Sequence, residues 1–162
     1  MSEHSCHLAQ GFTTREKILI RVSFAGLWIT GFIAIWPENI YWALGFMILV
    51  LYGVLGLMAR YWVCPRCPHL HKYNDCLQMP PALMKRFVKK PASTPMGKRE
   101  RFLTVALFIL IPLFPQYWLI QKPLHFAVFW VFCGVWYLAL LMYFCKHCRL
   151  SSCPFNRTGI SV

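Results

Sequence analysis

The chain has 162 residues, and 58% of them are hydrophobic, well above the ~45–50% usual in a soluble domain. The excess falls in long uninterrupted runs, which excludes an ordinary soluble core and points to a membrane protein. The net charge of +12 invites a nucleic-acid reading, but the placement of the charges along the chain gives them a topological cause instead.

The first seventeen residues are mostly polar and carry His4, Cys6 and His7. The apolar run that follows is too long for a signal peptide and lacks a small-residue cleavage site, so it is expected to remain as a first span. Apolar runs cover about 18–36, 40–62, 102–120 and 124–144. Each approaches the ~20 residues needed to cross a ~30 Å hydrocarbon layer. None has Lys, Arg, Asp or Glu in its middle; Arg21 lies near the start of the first run and Arg60 near the end of the second. Pro37-Glu38-Asn39 separates the first two runs and Gln121-Lys122-Pro123 the last two. Links this short imply antiparallel hairpins, and proline suits a turn because it cannot continue a helical ladder.

The second run passes directly into Tyr61-Trp62-Val63-Cys64-Pro65-Arg66-Cys67. A central loop, 63–101, then carries His69, His71 and Cys76. After Pro80-Pro81 the segment 82–90 sets Leu83, Met84, Phe87 and Val88 at helical spacing among Lys85, Arg86, Lys89 and Lys90. It reads as a short amphipathic helix ended by Pro91 and lying on an anionic membrane surface. Residues 92–97 read as a flexible link. In the third run, Pro112 and Pro115 predict a kink. The fourth run passes into Met142-Tyr143-Phe144-Cys145-Lys146-His147-Cys148, and Cys153 follows.

The basic residues set the orientation. Of the 17, only Lys122 falls on the side of the short turns. The positive-inside rule places the other side, with both termini and the central loop, in the cytoplasm. In a bacterium this would be the cytoplasmic (inner) membrane. Trp36, Tyr41, Trp42, Tyr117 and Trp118 lie near the outer turns as an interfacial belt, with Tyr61, Trp62 and Tyr143 near the inner edge. The fold class is therefore all-α: a single polytopic membrane domain, 1–162, of four transmembrane helices.

The two halves share one plan, 18–76 and 102–153, each a hairpin that runs into Cys-x-x-Cys and gains a third cysteine. Cys64 and Cys145 are offset by 81 residues, half the chain. Both halves start on the same side, so the repeat is parallel, with a pseudo-two-fold axis along the membrane normal. Gly26, Thr30 and Ala34 form a small-residue stripe, and Gly53 and Gly56 a second close-approach face, for packing.

Six cysteines thus face a reducing cytoplasm: Cys64, Cys67, Cys76, Cys145, Cys148 and Cys153. There metal ligation is a better reading than stable disulfides. His69, His71 and His147 are additional candidate ligands, and His4, Cys6 and His7 form a weaker group on the same side. Cys67 and Cys153 are each followed by proline. Such Cys-Pro endings resemble ferredoxin ligand runs and the cytoplasmic motifs of some respiratory membrane anchors. The spacing departs from the ferredoxin run, with x2 then x8 in one half and x2 then x4 in the other. The resemblance implies an iron–sulfur cluster, while ligand type alone leaves zinc open.

Away from the basic residues near their ends, the polar or reactive groups singled out in the spans are Ser23, Thr30, Thr104, His125 and Cys133. Ion pumps need buried ionisable groups, and a bis-histidine haem needs a second span histidine. Cys133 reads as a small packing residue, and His125 as an interfacial one. The function expected is a membrane-anchored redox subunit, rather than a stand-alone enzyme. Cytoplasmic iron–sulfur centres would pass electrons between a soluble protein partner and a membrane component. The basic loop would rest on anionic lipid and dock an acidic partner; no nucleic acid is expected. One alternative is a quinone-coupled thiol–disulfide oxidoreductase, which looks like the bacterial quinone-coupled disulfide-forming enzymes in size and helix number. It departs from them because their reactive cysteines lie outside and these lie inside. The other alternative is a zinc-stabilised membrane scaffold without redox activity.

Overall fold

The computed structural model describes residues 11–88, 91, 92, 94–145, 150 and 153–155, with helix and connections but no strand among them. Four helical stretches are long and apolar enough to cross a membrane: Thr14–Ile35, Ile40–Arg66, Lys98–Leu119 and Pro123–Phe144, with mean hydropathies of 2.0, 2.1, 1.8 and 2.0. Their surfaces are inverted relative to a soluble protein. Ile18, Val22, Ile29, Ile48, Val131 and Leu138 are all about half exposed or more. So much contiguous apolar surface suits lipid and not water.

Helix α1 (Thr14–Ile35) opens with a capping box. The Thr13 hydroxyl accepts from the Glu16 N–H at 3.3 Å, and the Glu16 carboxylate accepts from the Thr13 N–H at 2.7 Å. Two otherwise orphaned donors are satisfied, and the acidic side chain sits at the positive end of the helix dipole. After the turn, the Asn39 side chain caps α2 (Ile40–Val50) by accepting from the N–H groups of Tyr41 and Trp42.

Helix α2 then continues in π-helical winding over Leu51–Trp62. A 3-10 turn, Cys64–Arg66, and α3 (Pro68–Lys72) follow. Helix α4 (Pro81–Phe87) falls in the segment expected to be amphipathic and ends sooner than the expected 82–90, with Val88 already extended. Like charges four apart, Lys85 with Lys89 and Arg86 with Lys90, disfavour the additional turn. Met84 is buried against Ala59 and Leu70, while Leu83 and Phe87 stay exposed.

Helix α5 (Lys98–Leu113) breaks at Pro115, and α6 (Gln116–Leu119) resumes after it. The Gln116 amide donates to the Pro112 carbonyl, so a side chain meets a carbonyl where the proline-containing ladder is interrupted. Helix α7 (Pro123–Leu138) again continues in π winding, Ala139–Phe144.

The most extensive helix pair is α1 along α7. Gly26 permits it: a Cβ there would stand 2.6 Å from the Phe132 ring. Gly31 serves likewise against Phe46, at 2.9 Å. Small residues allow backbones to approach where lipid offers no hydrophobic drive. Of the expected stripe, Gly26 and Ala34 face protein, and Gly31 joins them from outside the four-residue register. Leu27, Phe46, Ile111 and Phe129 form the centre of the main apolar core. At one end, Lys122 Nζ pairs with Glu38 at 3.1 Å and donates to the Ala34 carbonyl at 3.0 Å. This contact joins the two short turns. Trp36, Tyr41, Trp42 and Tyr117 surround them, more than half exposed.

Candidate functional site

Both cysteine segments are set by the end of a π-helical stretch. The Val63 N–H donates to the Met58 carbonyl at 2.8 Å and the Cys145 N–H to the Leu140 carbonyl at 2.7 Å, each five residues back. π winding is rare in proteins. The wider winding rotates the chain relative to an α-helix just before each Cys-x-x-Cys.

In the first half, Pro65 starts a tight turn in which the Cys67 N–H donates to the Cys64 carbonyl at 3.2 Å. Arg66, the residue between the two cysteines with only 10% of its side chain exposed, staples this turn. It donates to the carbonyls of Trp62 at 2.8 Å and Thr94 at 2.7 Å, and pairs with Glu100 at 3.2 Å. A His71 ring nitrogen, Nε2, lies 3.0 Å from the Cys64 carbonyl. Cys64 itself packs with Cys67 and Cys76 against the apolar knot of Ala59, Leu70 and Met84.

The loop to Cys76 turns back at Asn74, whose φ of 51° lies in the left-handed region that asparagine tolerates. Asp75 then fastens the loop to the start of α1. It accepts from the Phe12 N–H at 2.7 Å and the Cys76 N–H at 2.8 Å, and pairs with Lys17 at 2.6 Å. Burial works against the charged carboxylate, but these hydrogen bonds and the Lys17 charge outweigh it and hold Asp75 below the usual carboxylate range. Arg21 adds two donations, to the carbonyls of Cys76 at 3.2 Å and Leu77 at 3.3 Å.

Cys67, His69 and Cys76 from the first half and Cys145 and Cys153 from the second line a single cavity of about 240 Å³. The remaining wall is chiefly carbon, with Phe12, Phe108, Phe144 and Phe155 among its residues. Two polar side chains reach it. Thr104 donates to the Glu100 carbonyl at 2.8 Å. Gln78 has a buried Nε2 without a hydrogen-bond partner. His69 is almost wholly buried and stacks at a tilt on Phe12, centroids 4.8 Å apart.

Cys64 and His71 are not among the cavity's lining residues. Cys148 and His147 lie outside the described residues, as do His4, Cys6 and His7. Among the described residues, no three His, Cys, Asp or Glu side chains converge as a ready metal-ligand set. Cys133 is buried in the main core, away from the cavity lining.

Lys17, Arg21, Arg66, Asp75, Gln78 and Glu100 were not singled out by sequence as site residues. Two of the six carry a signal in the sequence: Asp75 stands directly before Cys76, and Glu100 is an acid in a basic stretch. Comparison with protein-family models, with curated proteins and with solved structures finds no match.

Proposed function

We propose that this chain is a membrane-anchored electron-transfer subunit whose cysteines hold an iron–sulfur centre at the cytoplasmic end of its helices. The observation that carries the reading is the cavity lined by cysteines of both halves. Its size supports a cluster over a lone ion. A structural zinc site is closed, with four ligands at roughly 2.0–2.3 Å and no space left over. A cavity of about 240 Å³ exceeds by an order of magnitude the ~10–15 Å³ needed for one water. The nearly all-carbon wall also suits a cluster kept from water, where burial and hydrogen bonds to sulfur set the potential.

When bound, such a centre supplies one-electron transfer between a soluble redox protein and a membrane acceptor such as a quinone. The chain's own residues position it. Arg66 and Glu100 fix the first Cys-x-x-Cys turn, while Lys17, Arg21 and Asp75 fix the Cys76 loop. The parallel repeat of two hairpins and the cytoplasmic placement of both termini belong to this reading. They are supported by the contact of the two short turns at Glu38–Lys122 and by the charge asymmetry. The exposed Leu83 and Phe87 of α4, flanked by basic residues, support its resting on anionic lipid.

A second reading draws on the same wall. An apolar cavity with an unpartnered amide donor suits a quinone headgroup. Two thiols giving two electrons and two protons to a quinone would form one disulfide and one quinol. The experiment that separates the readings is anaerobic purification followed by metal, sulfide and thiol analysis. Iron with acid-labile sulfide, and a broad visible absorbance bleached on reduction, is the expected result. Metal-free protein with a reversible disulfide would replace it with the quinone reading, and colourless protein with stoichiometric zinc with the scaffold.

A further inference from the structure

The walls of the cavity restrict what can occupy it. No three His, Cys, Asp or Glu side chains converge as a ligand set among the described residues, so an occupant is sought that needs none. The space lies where the long apolar helical stretches meet the loop that follows them. Met58, Phe108 and Leu140 line it from those stretches, and Cys67, Cys76 and Gln78 from the loop.

Three features of the wall act together. No Lys, Arg, Asp or Glu is among the described residues that line it. A carboxylate or phosphate would therefore enter without a counter-charge, which is costly in so apolar a space. Gln78 lines the cavity, and its buried Nε2 meets no acceptor. A bare hydrocarbon chain would leave that donor unsatisfied, whereas a carbonyl oxygen would accept from it. Phe12, Phe108, Phe144 and Phe155 stand in the wall, and aromatic faces pack well on a flat ring. A neutral ring with carbonyl oxygens meets all three conditions. The volume of about 240 Å³ falls just short of the ~300–1,000 Å³ of pockets that enclose a whole drug-sized ligand. It suits a ring whose long tail stays outside.

We infer that the cavity is a binding site for the ring of a membrane quinone, with the Gln78 amide donating to one ring carbonyl and the tail left in the lipid. The inference rests on the second reading, in which the cavity takes a quinone. It goes further by giving the hydrogen bond a donor, ruling out charged ligands and fixing which part of the molecule enters. It stands apart from the iron–sulfur reading, which gives the same space another occupant.

The test uses the full chain in quinone-free lipid discs, as the natural protein and as Gln78→Leu. Equilibrium binding is measured for three probes with the same short tail: a fully substituted benzoquinone, which cannot add thiols, an equally substituted benzene without the carbonyl oxygens, and a fatty acid. Equal tails cancel the partition into lipid. The natural chain should bind the quinone saturably, roughly 2- to 12-fold more tightly than the carbonyl-free ring, the worth of one neutral hydrogen bond. In Gln78→Leu that gap should close, while the ligand-free variant melts no lower than the natural chain, because an unsatisfied buried amide has been removed. A merely structural role for Gln78 would instead lower the melting temperature and leave the gap in place, which would overturn the inference. Saturable quinone binding with the gap unchanged in Gln78→Leu, or fatty acid bound more tightly than quinone, would also overturn it while leaving the second reading intact. Absence of saturable quinone binding to the natural chain would remove that reading itself. Should Gln78→Leu fail to accumulate, the natural chain decides alone: equal affinity for the two rings refutes the hydrogen bond, and preference for the quinone upholds it.

Discussion

Replacing Asp75 with asparagine should release the Cys76 loop from α1. The carboxylate makes three short contacts, to the Phe12 and Cys76 N–H groups and to Lys17, at 2.6–2.8 Å. An amide oxygen can keep one N–H, but the amide nitrogen cannot accept the other, and Lys17 loses its counter-charge. Hydrogen bonds to a charged group contribute about 1.5–3 kcal/mol each. The ion pair stands between the ~0–1 kcal/mol of an exposed pair and the ~3–5 kcal/mol lost on breaking a buried one, its side chains being 25% and 13% exposed. Allowing Lys17 to regain water, the net loss is about 2–3 kcal/mol, or roughly 30- to 150-fold in the open population of the loop. Amide hydrogen exchange measures that population locally. The segment around 73–78 should exchange faster by that factor, while the main core of α1 and α7 should be unchanged. Acceleration of less than threefold would refute the clamp as drawn.

The same carboxylate carries a pH dependence. Its folded-state pKa lies below the unfolded value of ~3.9. Its contribution is therefore complete above that value and is lost as pH falls through the lower folded-state one; the acid-induced drop in melting temperature should shrink in Asp75→Asn. Arg66→Lys should not rescue what Arg66→Ala loses, since the carbonyls of Tyr61, Trp62 and Thr94 and the Glu100 carboxylate are met by one rigid fork; thermal melting in detergent should show both destabilised, with Ala lower by about 2–3 kcal/mol. Gly26→Leu should cost at least about 1–3 kcal/mol by driving a side chain into Phe132, whereas Gly45→Ala, with nothing within 4 Å of the new Cβ, should be neutral or slightly stabilising. Glu38→Gln should change stability by less than about 1 kcal/mol, because the Glu38 side chain is 47% exposed.

The spans could be read from the sequence because each is a long apolar run whose few charges lie toward its ends, a signal that depends only on neighbours in the chain. The break at Pro115 was legible for the same reason, since proline acts locally. The π winding before Cys64 and Cys145 was not, because five-residue hydrogen bonds leave no compositional mark. Lys17 and Arg21 were visible only as topological charges. Their second use, gripping the loop at Asp75 to Leu77, joins residues 55 or more positions apart. Likewise, all six clustered cysteines looked equivalent by spacing. In the structure Cys64 and Cys67 pack against the same apolar residues, and only Cys67 of the two opens on the cavity.

X-ray absorption at the iron edge of the anaerobically purified full-length chain tests the central claim most directly, because it reports the atoms around the metal. The account predicts an iron signal with a sulfur first shell and a short iron–iron distance, the mark of a cluster bound by thiolates. No iron edge, with zinc present and four sulfurs at about 2.3 Å around it, would contradict it.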